Sequence, residues 1–243
     1  MKTMMFGSLM AATLMASAAP AVVLTSYEAA GVQQTSRAVT NAQVATFDGM
    51  SGWLGSGNLF AGSIGGTILQ GGFVIGDANP YGGAGGAGKF ATVFDTTTIQ
   101  LSEAVRFVGL WASAIDGDFA TSQGNAIALY SGGTLLGSYA LKPLLAGAPS
   151  AYWGNPNANF AGQDASEPFA FFNFESSTGF DRIDIVQNGG GGFELDNITI
   201  GERAQHVPLD AVPEPASWVM MILGFGAIGA MLRSRRSRPV SRA

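Results

Sequence analysis

The 243-residue chain contains no cysteine and only one histidine, His206. Without cysteine there is no disulfide, no thiolate metal ligand and no cysteine nucleophile. His206 lies in a stretch read below as a linker, so a Ser-His-Asp triad or a histidine-based zinc site inside the body is excluded. Charge is scarce as well, at 12% of residues. Between Ala19 and Val212 the basic residues are Arg37, Lys89, Arg106, Lys142, Arg182 and Arg203, six against sixteen acidic ones, which leaves this stretch near minus ten. Nucleic acid, which needs clustered Lys and Arg to displace its counterions, is excluded as a partner. Divalent cations and neutral sugars remain.

Sustained helical periodicity is also missing from the body. In its place are 35 glycines and short apolar pieces, with turn signals recurring every eight to twelve residues. The strand expectations are Gln43–Phe47, Phe73–Ile75, Phe90–Phe94, Thr97–Leu101, Arg106–Trp111, Phe169–Phe174, Arg182–Val186 and Phe193–Ile200. Asn125–Tyr130 and Thr134–Tyr139, joined at Ser131-Gly132-Gly133, form a hairpin. Within the glycine-rich run 49–72, Ile64, Ile68 and Leu69 are the expected buried positions. The pattern predicts an all-β antiparallel β-sandwich or jelly roll over 41–203, after a flexible lead-in at 19–40 and before a linker at 204–212.

Both ends read as targeting segments. Lys2, the apolar run Met4–Met15 and Ala16-Ser17-Ala18 form a secretory signal peptide over 1–18. At the other end, Pro213-Glu214-Pro215 is extended, because proline fixes φ and cannot sit inside a helix. From Trp218 to Leu232 no residue carries a charge or an amide. A helix over 216–232 would be roughly 25 Å long, a little short of a bilayer's hydrocarbon core. Trp218 suits an interfacial position, while Arg233, Arg235, Arg236, Arg238 and Arg242 mark the cytoplasmic side of a single transmembrane helix with a basic tail at 233–243.

Pro213, Glu214, Pro215 and Trp218, then Gly224 and Gly226, then the arginines from Arg233 onward make this stretch (213–238) resemble the PEP-CTERM sorting signal, in the variant with Trp three residues after the second proline. The resemblance implies an inner-membrane precursor recognised by an exosortase, cleaved near Pro-Glu-Pro, and delivered to the cell surface or extracellular matrix.

The closing strand poses a parity problem. In Phe193–Ile200, Phe193 and Leu195 share one parity, Ile198 and Ile200 the other, yet strand side chains alternate strictly. Either a bulge at Asp196-Asn197 resets the register, or Asp196 points inward and needs partners there. This stretch is similar to the last strand of jelly-roll carbohydrate-binding modules, which implies a structural Ca²⁺ at Asp196 with Asp48 as second carboxylate.

The Gly83–Lys89 run GAGGAGK fits a phosphate-loop spacing, but Phe90 replaces the Ser or Thr and a strand follows instead of a helix. Asp116-Gly117-Asp118 reads as a solvated turn. The long loop Pro143–Asp164 carries Tyr152 and Trp153. With Tyr81, these are candidate sugar-stacking aromatics, although Trp153 could equally tuck beneath its own loop. Glu167, Glu175, Asp181, Asp184 and Glu194 are the carboxylates a glycosidase would have to draw on. The reading of the whole is a non-enzymatic, polysaccharide-associated surface protein. The alternatives are a secreted glycan hydrolase and a purely structural surface protein.

Overall fold

The structure is a computed structural model that describes residues 23–118 and 124–203, which belong to one compact unit. In chain order the strands are β1 (Val23–Tyr27), β2 (Val39–Ala45), β3 (Gly52–Leu54), β4 (Gly66–Gln70), β5 (Phe73–Asp77), β6 (Lys89–Val93) and β7 (Thr97–Ser113). They continue with β8 (Ala126–Ser131), β9 (Thr134–Ala140), a one-turn helix α1 (Leu141–Leu144), β10 (Ala170–Val186) and β11 (Phe193–Arg203). Every pairing between strands is antiparallel.

The expected all-β sandwich is present, and two 17-residue strands build it. β7 and β10 pair along both their halves, and the register breaks between Glu175 and Arg182. In one half, β7 lies between β10 and β11, with β1 on the far side of β10. Beyond the break, β7 pairs β4 and β10 pairs β8, which pairs β9. A pair of strands that bends in this way passes from one layer to the other and makes the corner of a sandwich. Side chains from both layers enter one core: Val108, Leu110, Phe172, Leu195 and Ile200 from one, Ile68, Ile99, Ile127, Leu129 and Ile183 from the other. Each such buried side chain contributes roughly 1.5–3 kcal/mol.

The turn at Gly132-Gly133 forms as expected. Both glycines have positive φ, which matches the right-handed twist of the flanking strands β8 and β9. Three expectations are corrected. Within the 19–40 lead-in, Val23–Tyr27 form β1 and Val39 opens β2, so these residues join the sheet and are not a flexible arm. Thr97–Leu101 and Arg106–Trp111 are one strand, as are Phe169–Phe174 and Arg182–Val186 apart from its first residue. Leu69 is 61% exposed while Ile64 and Ile68 are buried. The cause is a bulge: two steps along β4 from Ile68 to Gln70 match one step on β7, so Leu69 is the extra residue and turns outward.

The parity problem in β11 resolves as a bulge. Between Asp196 and Thr199 the strand advances three residues while β7 moves two, from Trp111 to Gly109. Asn197 absorbs the extra residue in the left-handed region, φ 50. Phe193, Leu195, Ile198 and Ile200 therefore all reach the core.

The signal peptide at 1–18, the linker, His206, and the sorting signal with its helix at 216–232 lie outside the described residues. Among the described residues no helix is long and apolar enough to cross a membrane.

Candidate functional site

The outer face of the β6–β11–β7 layer, opposite the core, carries the site. Directly opposed residues of an antiparallel pair share a face. Glu194 of β11 faces Thr92 on β6 and Ser113 on β7, while its neighbour Leu195 turns inward with Ala91 and Ala112. Phe90 and Thr92 alternate outward along β6 and, with Phe94 just past its end, line a cleft of about 370 Å³ with Glu194. Asn79, Tyr81, Asp116, Glu167, Gly191 and Gly192 contribute to the rest of its lining. Tyr81 and Phe94 are each 55% exposed, so aromatic faces stand open at the rim.

Glycines let the carboxylates close in. A Cβ on Gly190 would lie 1.3 Å from Asp116 Oδ2, and one on Gly192 would lie 2.7 Å from Glu194 Oε1. Among the described residues no lysine or arginine lines the cleft. Burial and crowding by like charge both favour the neutral acid. Burial pushes Glu194 up to about 8, with the charges of Asp116 and Asp164 adding to it. Glu167 is also raised to about 8, first by burial and then by hydrogen bonding and repulsion from Asp164 and Asp116. At neutral pH the cleft thus offers carboxyl groups that both donate and accept hydrogen bonds, beside aromatic rings.

Beside the cleft, a second small apolar cluster of Trp111, Ala114, Phe169 and Phe171 fills the space under the loops, with Ala84 packed on it. Buried asparagines tie those loops together. Asn155 Nδ2 donates to Pro80 O at 2.9 Å, and Asn157 Nδ2 to Gly83 O at 2.9 Å. The GAGGAGK run is thus a covering loop, and its Ala84 N–H donates to Asp196 Oδ2 at 2.8 Å.

The structure sorts the other expected site residues. Tyr81 is at the cleft. Tyr152 is buried, stacks edge-on against Tyr27, and donates its hydroxyl to Glu28 O at 2.9 Å, so its ring is not offered to a ligand. Trp153 packs partly buried against the main core beneath Lys142, 5.8 Å from its ring. Of the five acids, Glu167 and Glu194 share the cleft. Glu175 pairs with Arg37 at 3.3 Å, Asp184 with Arg182 at 3.1 Å, and Asp181 accepts from Gly132 N–H. Phe94 and Asp116 were not anticipated. The parity of Phe94 within the expected strand Phe90–Phe94 was the available signal for it.

Asp48 and Asp196 come near enough for Asp48 to help raise Asp196, which burial chiefly pushes up to about 7. Calcium does not fit the pair. Asp196 accepts N–H groups from Ala84 and Asn197, and Asp48 accepts the Lys89 N–H at 2.9 Å, so backbone donors point at three of the four oxygens. Among the described residues no three His, Cys, Asp or Glu side chains gather to hold a metal. Calcium takes six to eight oxygens. The pair instead clamps the loop over the sheet. A chelator is expected to leave the melting temperature unchanged, whereas Asp196→Ala lowers it equally with or without chelator, as calorimetry would show.

The body is an antiparallel all-β sandwich with an open, acid-lined cleft on one sheet face. A family model described as the PEP-CTERM protein-sorting motif matches residues 211–236. The chain carries that motif, which marks an exported protein held at the membrane before an exosortase processes it. No curated protein and no solved structure matches the chain.

Proposed function

We propose that the exported body binds extracellular polysaccharide in the cleft on the β6–β11 face, and that exosortase processing delivers it to the cell surface or matrix where that polysaccharide lies. One observation carries the reading: open rings of Tyr81 and Phe94 stand beside Asn79, Asp116, Glu167 and Glu194 in a single cleft. Rings stack on the apolar face of a sugar, and the carboxyl and amide groups pair with its hydroxyls. The absence of any cation from the lining favours neutral sugars over acidic ones.

The expected result of a glycan array is binding to neutral oligosaccharides that Tyr81→Ala weakens about tenfold, the loss of roughly 1.4 kcal/mol of stacking. Binding to no glycan would leave a purely structural surface protein.

A second reading rests on three carboxyl groups, Asp116, Glu167 and Glu194, sharing the cleft, since a hydrolase needs one carboxyl group as acid and another as base. Reducing-sugar release that disappears in Glu194→Gln would establish it. Binding without release establishes the first.

A further inference from the structure

We propose that Trp53 is a second stacking platform, and that the cleft is the inner end of a groove for an extended polysaccharide chain. This rests on the reading of the cleft as a glycan site and adds both the residue and the form of the ligand.

The register sets the groove. Trp53 on β3 is opposed to Val74 on β5, Val74 to Thr92 on β6, and Thr92 to Glu194 on β11. Opposed residues share a face, so one row runs from the indole to the cleft across three strand spacings, about 14 Å. The alternate residues Phe73 and Ile75 enter the core, which confirms that Val74 and its row look outward. Between the ends lie only a valine, 37% exposed, and a half-buried threonine. No charge interrupts the floor.

Trp53 itself is 63% exposed, the most exposed large apolar side chain among the described residues. It is also held flat. A Cβ on Gly55 would lie 2.4 Å from its Nε1, and one on Gly72 would lie 2.7 Å from its Cζ2. Two residues without side chains let one face of the indole rest on the backbone while the ring as a whole stays open. A ring fixed in this way loses little freedom when a sugar stacks on it. Covering the glycine pair would by itself stabilise the sheet edge. That role predicts a change in melting temperature but none in ligand length dependence. Continuity sets the occupant: the row leads without a break into a cleft whose groups suit sugar hydroxyls.

The test uses the full chain in detergent and neutral α- and β-linked oligosaccharide ladders of two to eight units. Affinity is expected to rise with length and then level off. Trp53→Ala should remove that rise, about tenfold at the longest ligand, and leave the shortest unchanged. Gly55→Ala, which displaces the ring without deleting it, should act in the same direction. Tyr81→Ala should weaken every length. If Trp53→Ala preserves the length dependence while Tyr81→Ala still weakens binding, the platform is refuted and the cleft stands. If Trp53→Ala changes only the oligomeric mass, the indole is a contact between copies and the proposal falls. If no ladder binds, the groove and the cleft reading fall together.

Discussion

Replacing Pro213, Glu214 and Pro215 together with alanine should leave the protein as a full-length, membrane-held precursor. Alanine restores the N–H groups that proline removes and permits the helix expected at 216–232 to extend back through the processing region. The matched sorting motif spans this triplet. Immunoblots of membrane and released fractions would show a shortened species for the native chain and only the longer precursor for the variant. Equal shortening of both would mean that the triplet does not direct processing. The effect is close to all-or-none, because it acts on delivery and not on the stability of the body.

The second large effect concerns pH. Glu167 and Glu194 are raised to about 8 and Asp196 to about 7 in the folded protein, chiefly by burial. Between the ordinary carboxylate range and these values the folded state holds protons that the unfolded chain has released. Their contribution to stability is therefore full below about pH 4 and lost as pH rises through 7 to 8. Glu28 works in the opposite sense: burial pushes it up, but hydrogen bonds from Ser36 and Asn173 outweigh that and hold it below its ordinary value. The melting temperature is expected to fall from pH 4 to pH 8. Glu194→Gln, which imitates the protonated acid, should match the native protein at pH 4 and exceed it at pH 8. A shift of this size at a buried group corresponds to a few kcal/mol, or several degrees for a body of this length. Identical pH profiles for the two proteins would show that Glu194 is not held protonated.

The sequence was most legible where a local rule was broken. Phe193, Leu195, Ile198 and Ile200 could not all face one core without an extra residue, and the bulge at Asn197 supplies it. The Gly132-Gly133 turn was equally local. The long strands were hidden because Ser102–Ala104 and Glu175–Gly179 are polar or small and read as interruptions, whereas they form the bend between two layers, exposed at Ser102–Ala104, Ser177 and Thr178. The cleft was legible only in parts. Tyr81, Phe94, Asp116, Glu167 and Glu194 span more than a hundred positions, and only the pairing of β6, β11 and β7 brings them together. Trp53 was hidden by its surroundings, since its glycine neighbours suggest a turn until Gly72 is seen to share the ring. The sorting motif was readable in full because its order along the chain is itself the signal.

Polysaccharide binding on the outer face of β6 and β11 is tested by amide chemical-shift mapping of the isotope-labelled protein as matrix polysaccharide fragments are added. Shifts are expected to be confined to Tyr81, Thr92, Phe94, Gly191, Gly192 and Glu194, with longer fragments extending them through Val74 to Trp53. Shifts clustered elsewhere, or none at saturating polysaccharide, would contradict it.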